Sequence, residues 1–98
     1  AYDHAVDMRV RGFYDHVNPD GVGACERLMA RQIPMDACGG ENIARNNPTP
    51  RDVMDAWLAS PTHQPRILST GVTHLGVGVH TGRDGPWWVQ EFFTYSGP

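Results

Sequence analysis

The sequence contains no lysine, because all eight of its basic residues are arginine. That absence excludes a lysine Schiff base, a P-loop lysine and a lysine general base. The formal net charge is -3 and the pI is near 5.9. A nucleic-acid or anionic-membrane partner usually requires a basic surface, so we expect no nucleic-acid partner.

Long apolar segments are also lacking. No run approaches the 18 residues of a transmembrane helix, and residues 1–11 lack the apolar centre of a signal peptide. The chain is therefore either intracellular or the mature or trimmed part of an exported protein. Its 98 residues, of which 40% are hydrophobic, predict one domain over residues 1–98 with a modest core.

Cysteine occurs only twice. Cys25 and Cys38 cannot form a four-thiolate zinc site, and their spacing does not match a C-x-x-C redox pair. A disulfide between them would close a short loop, stabilise the fold by about 3 kcal/mol, and imply export. Two buried free thiols are the alternative.

The common catalytic motifs G-x-S-x-G and H-E-x-x-H are absent. Ser60 precedes His63 by three residues on a predicted helix, which suits a helix cap better than a nucleophile. The spacing of the five histidines indicates no metal site by itself; they are His4, His16, His63, His74 and His80. Glu41 follows two glycines and precedes apolar residues, so we expect it to be partly buried and to need a partner such as histidine.

Apolar spacing predicts a first helix over residues 1–13 that ends near Gly12. Its predicted inward face consists of Tyr2, Val6, Val10 and Phe13. A second helix is predicted over 24–32, with Leu28 and Met29 facing the core.

Thr49 and Pro50 predict the start of a helix that runs to Ala59, because threonine favours the N-cap and proline the first helical position. Its predicted apolar stripe consists of Val53, Met54, Trp57 and Leu58. Another short helix is predicted over 60–68. The segment 39–44 remains open between a strand and an extended loop.

The last third of the chain predicts a hairpin of two strands, over 73–80 and 87–95. Gly76 and Gly78 lie on one face of the first strand, where they allow another backbone to approach closely. The second strand is apolar on both faces, so we expect it to be covered on both sides. The predicted class is α+β, a three-layer α-β-α sandwich.

Five ordered segments of the chain resemble the CAP superfamily of cysteine-rich secretory, antigen 5 and pathogenesis-related 1 proteins, in its short bacterial form. The resembling segments are Phe13–His16 with Asn18–Gly21, the G-E-N-I-A of Gly40–Ala44, Ala56–Leu68, Thr73–Val79 and Trp88–Gln90. The resemblance spans nearly the whole chain, and it implies a secreted domain with a surface cleft.

In this family the cleft holds two histidines and two glutamates. The resemblance implies that His16, Glu41 and His63 occupy three of these positions, while Ser60 stands at the second glutamate position. Two histidines with one nearby glutamate imply a site for a divalent metal such as zinc. We therefore expect a binding domain for a metal, a small ligand or an extracellular partner rather than an enzyme.

Two other functions remain open. The first is a metal-dependent hydrolase in which Glu41, His16 and His63 are catalytic and Glu41 acts as general base. The second is a structural or interaction domain in which these side chains only bond to one another. Family domains also begin with a further helix, which this sequence lacks. We expect its absence to expose an apolar surface through which the chain could form a homo-oligomer.

Overall fold

The computed structural model describes residues 1–96, which form four helices and one three-stranded sheet. In chain order these are α1 (Tyr2–Arg11), α2 (Ala24–Ala30), β1 (Ala37–Arg45), α3 (Pro50–Ala59), α4 (Gln64–Ile67), β2 (His74–His80) and β3 (Trp87–Thr94). The sheet order is β1-β3-β2, and both strand pairs are antiparallel. The predicted α+β class is confirmed, and the open segment 39–44 is part of a strand.

The helix ends follow the local sequence. Gly12 ends α1 in the left-handed conformation, with a φ of 70°, and donates its backbone N–H to the carbonyl of Met8. Thr49 caps α3 by accepting the backbone N–H of Asp52 at 3.2 Å, and Pro50 is the first helical residue. Both predicted boundaries are confirmed because they depend only on neighbouring residues.

The sheet separates two apolar clusters. On one face, α1 packs through Ala5, Met8, Ile43, Trp87 and Val89. On the other face, α3 packs through Ala44, Val53, Trp57 and Trp88. Residues of β1 and β3 contribute alternately to the two clusters, so the expected covering of β3 on both faces is confirmed.

The predicted inward face of α1 is wrong at two of its four positions, while Phe13 is partly buried against the cluster on this face of the sheet. Tyr2 is 54% exposed and Val10 is 69% exposed, while His4, Ala5 and Met8 are the buried residues of the helix. The backbone at the start of α1 lies against the sheet. The residues on the side of the helix that contacts the sheet are therefore those whose side chains fit between the two. Met29 of α2, also predicted to face inward, is exposed as well.

The close approach of α1 depends on Gly78 in β2. A Cβ atom at this position would lie 2.2 Å from the backbone nitrogen of Tyr2, so no other residue fits there. No atom lies within 4 Å of the corresponding point at Gly76. The predicted close backbone approach is therefore confirmed at Gly78 and not at Gly76.

The two cysteines form a disulfide. Cys25 lies in α2 and Cys38 at the start of β1, and their Cα atoms are 5.8 Å apart. The bond attaches α2 to the strand that carries Glu41. The disulfide alternative is confirmed over the free thiols.

Candidate functional site

Glu41 is a buried carboxylate placed beside a second one. It lies on β1 directly opposite Glu91 on β3, and the two residues are 3% and 2% exposed. Like charges that face each other across a strand pair are destabilising. Arg27 of α2 reaches both: its Nη2 donates to Glu41 Oε2, and its Nε lies 3.9 Å from Glu91 Oε1. One guanidinium therefore offsets the repulsion between two buried carboxylates.

His16 contacts the other oxygen of Glu41. The distance from His16 Nδ1 to Glu41 Oε1 is 2.9 Å, and the imidazole side chain is 46% exposed. Arg27 Nη1 also donates to the backbone carbonyl of His16 at 2.9 Å. Both oxygens of Glu41 are thus engaged, and Arg27 fixes the backbone that presents the histidine.

His4 of α1 is a third buried side chain that contacts the site. Its Nε2 lies 2.9 Å from the carbonyl oxygen of Asp15, to which it donates, and 3.8 Å from Glu41 Oε1. Burial, together with the charge of Arg27, lowers the pKa of His4 to about 4. The imidazole is therefore neutral at neutral pH. It holds the residue that immediately precedes His16.

The carboxyl group of Glu41 has competing influences on its pKa. Burial raises the pKa above its usual range, while the hydrogen bond from His16 and the charge of Arg27 act in the opposite direction. The burial effect is the larger one. Loss of either partner should therefore favour the protonated carboxylic acid.

His63 lies on the other face of the sheet, where β1 presents Asn42. Asn42 Nδ2 donates to the His63 carbonyl at 3.2 Å, and His63 Nδ1 lies 2.8 Å from Ser60 Oγ. Burial lowers the pKa of His63, and the charges of Arg66 and His16 lower it further. His16 is thus part of the electrostatic environment of His63, although Glu41 and Asn42, the strand residues that they contact, point to opposite faces of the sheet.

The structure brings the expected residues together in two pairs. His16 contacts Glu41, and Ser60 contacts His63. Within residues 1–96, no three His, Cys, Asp or Glu side chains surround one point where a metal ion could bind. A metal held by both histidines and Glu41 does not fit, because both Glu41 oxygens already have partners. The imidazoles of His16 and His63 remain as nitrogen donors of the kind that zinc binds.

The sequence analysis missed three residues of the site: His4, Arg27 and Glu91. Glu91 could have been found, since an acidic residue within a strand that is apolar on both faces must be buried and needs a cation. Arg27 carries no comparable signal, because an arginine on a short helix is usually exposed. Only the packing of α2 against β1 identifies it.

A three-layer α-β-α domain with an internal disulfide and a histidine bonded to a buried glutamate has the architecture of a CAP domain. The model of the cysteine-rich secretory protein family, CAP, matches residues 1–92, and the chain belongs to this family. The fold is also similar to that of an extracellular protein containing an SCP domain from Bacillus anthracis str. Ames. That match has a TM-score of 0.88 and 27% identity, and covers 97% of this chain and 30% of the other.

Two proteins of Bacillus subtilis (strain 168) are similar in sequence. The uncharacterized protein YkwD is 34% identical over 86 residues, and the uncharacterized membrane protein YlbC is 32% identical over 92 residues. The matches cover 88% and 94% of this chain but only 32% and 25% of those proteins. The chain therefore spans a third or less of each relative. Within residues 1–96, no helix is long and apolar enough to cross a bilayer.

Proposed function

We propose that the chain is the binding domain of an exported protein and that His16 and His63 are its binding groups. We further propose that they take a divalent metal ion such as zinc through their Nε2 atoms. The observation that carries the proposal is that each ring is held through Nδ1, by Glu41 in one case and by Ser60 in the other. Metal-binding histidines are typically oriented by a partner on the ring nitrogen that does not bind the metal.

The bond to Glu41 prepares His16 for this role. A carboxylate accepts a hydrogen bond from Nδ1–H. The neutral imidazole therefore carries its proton on Nδ1 and keeps the lone pair on Nε2. The ring side chain is half exposed, and within residues 1–96 its Nε2 has no hydrogen-bond partner. His16 can therefore reach a ligand without losing its bond to Glu41.

His63 has a more adaptable partner. The hydroxyl of Ser60 can donate or accept, so Nδ1 can carry the proton and leave Nε2 as the free donor atom. The lowered pKa of His63 keeps its ring neutral at neutral pH, and protons then compete less with a metal ion. A cleft with two such rings would complete its coordination with water.

Export is supported by two observations. The Cys25–Cys38 disulfide is typical of oxidising compartments. The solved structure with the similar fold is that of an extracellular protein. Secretion of this chain is part of the same proposal.

We do not propose hydrolysis, because Glu41 would need a free oxygen to act as general base. Its Oε2 accepts from Arg27 and its Oε1 contacts His16. Activation of a water by Glu41 would require breaking one of these buried contacts, at a cost of several kcal/mol on the order seen when buried ion pairs are disrupted.

Calorimetric titration of zinc into metal-free protein tests the proposal. We expect one site of micromolar affinity that is lost in both His16→Ala and His63→Ala. Glu41→Gln should weaken zinc binding by about 10- to 100-fold, the effect usual for the partner of a metal-binding histidine. His74→Ala is the matched control, because His74 is exposed on β2 at the opposite edge of the sheet.

Absence of zinc binding, or equal binding by all variants, would overturn the metal proposal. If Glu41→Gln then lowered only the melting temperature, the polar cluster would have a structural role. The search for function would move to protein partners of the cleft.

A further inference from the structure

β2 is an edge strand, and its outer side pairs with no other strand within residues 1–96. β2 pairs with β3 on one side, and within residues 1–96 none of His74–His80 exchanges a backbone hydrogen bond with any other segment. The opposite edge, β1, is protected differently. It has a register shift between Cys38 and Gly40 and a disulfide to α2. β2 has neither feature.

The side chains of β2 also lack the usual protection of an edge strand. Natural edges commonly carry lysine, proline or other charges that discourage pairing with another chain. The strand H-L-G-V-G-V-H has no acidic residue, arginine or proline. Leu75 and Val77 are 52% and 58% exposed on the face where Val79 packs against the α3 cluster. An apolar, uncharged and unpaired edge is suited to strand addition.

The sequence of β2 is nearly the same in both directions. From either end it reads histidine, aliphatic residue, glycine, valine, glycine, aliphatic residue, histidine. If two copies paired in antiparallel fashion about Val77, each residue would face one of its own kind. Val77 would lie opposite Val77, Leu75 opposite Val79, and Gly76 opposite Gly78.

We propose that β2 pairs with β2 of a second copy of this chain, so that two three-stranded sheets become one continuous sheet across a twofold axis at Val77. Such an axis gives the same surface to both partners, as symmetric dimers require. The partner strand would satisfy the free backbone groups and place aliphatic side chains beside Leu75 and Val77. A slip by one residue would turn these side chains to the other face.

The glycines of β2 lie on the face of the strand that contacts α1. The start of α1 already lies against Gly78, where any Cβ would meet Tyr2. Glycine opposite glycine adds no side chain at that contact. His74 and His80 share this face and would lie opposite each other, with His80 still in contact with Tyr2 and Arg9 of its own α1. A single strand pair buries less area than a standard stable interface, and we expect a weak, concentration-dependent dimer.

Sedimentation velocity over a concentration series, with a metal chelator present, tests the proposal separately from zinc binding. We expect dimerisation of the unmodified chain, weakened about tenfold or more by Val77→Lys because like charges would face each other across the axis. Met29→Lys is the control, since Met29 is about as exposed, at 61%, and lies on α2, which is attached to β1 at the opposite edge of the sheet. Far-UV circular dichroism should be unchanged in both variants.

Cross-linking supplies a second measurement. Both native cysteines are paired, so Val77→Cys introduces the only free thiol within the described chain. Mild oxidation should link two copies of this variant selectively, and should not link Met29→Cys. A monomer at every concentration, dimerisation insensitive to Val77→Lys, or selective loss of the dimer in Met29→Lys would each overturn the proposal.

Discussion

The two faces of the sheet are built from alternate residues of the same strands, yet they bury different chemistry. On the α1 face, β1 and β3 contribute Glu41 and Glu91, which face Arg27. On the α3 face, the residues adjacent to these two glutamates are Asn42 and Gln90, whose side chains are joined by a 3.3 Å hydrogen bond. A shift of one residue along the chain thus separates a charged face from a neutral one.

The neutral face satisfies most of its polar groups within the sheet and its adjoining loops, although Asn42 Oδ1 has no hydrogen-bond partner within residues 1–96. The indole of Trp57 donates to the carbonyl of Ile43 at 3.0 Å, and the indole of Trp88 donates to that of Asn47 at 2.8 Å. The charged face instead depends on a cation from α2, a helix attached by a disulfide. The comparison shows that buried carboxylates make the stability of their face depend on pH, whereas buried amides and indoles do not.

Replacing Arg27, the cation of the charged face, should cause the largest loss of stability. We expect Arg27→Met to lower the free energy of unfolding by about 3–5 kcal/mol at pH 7, because two buried carboxylates would lose their shared partner. The loss should be smaller at pH 5, where the carboxyl group of Glu41, whose pKa burial already raises, can protonate. Urea denaturation at both pH values measures the difference.

Arg51→Met is the control for this experiment. Arg51 is exposed on α3, beside the neutral face, and its replacement should change stability by about 0.5 kcal/mol or less. Equal losses in the two variants would contradict the assignment of Arg27 as the cation of the buried cluster.

Removing the disulfide should cause the second largest loss of stability, again on the charged face. We expect the double variant Cys25→Ser and Cys38→Ser to lose about 3 kcal/mol of stability, because the unfolded chain gains the freedom of the opened loop. Since α2 carries Arg27, amide hydrogen exchange should increase first in α2 and near Glu41. Uniformly faster exchange, reaching α3 as strongly as α2, would argue against a local tether.

His4 adds a pH dependence of its own to the charged face. Burial lowers its folded pKa from 6.5 to about 4, so the neutral ring contributes stability that is complete above pH 6.5 and is lost as the pH falls toward 4. We expect the unmodified chain to lose about 2 kcal/mol between pH 7.5 and 5 through this group. The same comparison in His4→Gln should lack this contribution. His74→Gln, at an exposed position, should keep it.

The neutral face should give the smallest effect and no pH dependence. Trp57→Phe removes the hydrogen bond to Ile43 and leaves an aromatic ring in the core. The carbonyl of Ile43 keeps the Tyr14 hydroxyl at 3.3 Å, so we expect a loss of about 1 kcal/mol. Thermal unfolding at pH 7.5 and 5 should give the same difference from the unmodified chain. A loss that grew at low pH would contradict the separation of the two faces.

Features set by neighbouring residues could be predicted from the sequence. The end of α1 at Gly12 and the start of α3 at Thr49 follow from cap chemistry, and the strand over Trp87–Thr94 follows from its continuous apolar character. The resemblance to the family named both His16 and Glu41, whose side chains lie 2.9 Å apart in the structure. The inward face of α1 could not be obtained in this way, because apolar periodicity identifies a stripe without saying what covers it.

The sequence by itself determined the fold class, the ends of its main elements and the pairing of its two cysteines as one of two alternatives. Only the tertiary structure decided that Arg27 lies between two buried carboxylates and that His63 contacts Ser60 and Asn42 rather than Glu41. It also decided that the outer side of β2 pairs with no other strand within residues 1–96. The physical reason is range: caps and strand alternation act over a few residues, whereas burial and charge pairing depend on segments that meet only when the sheet and its helices pack together.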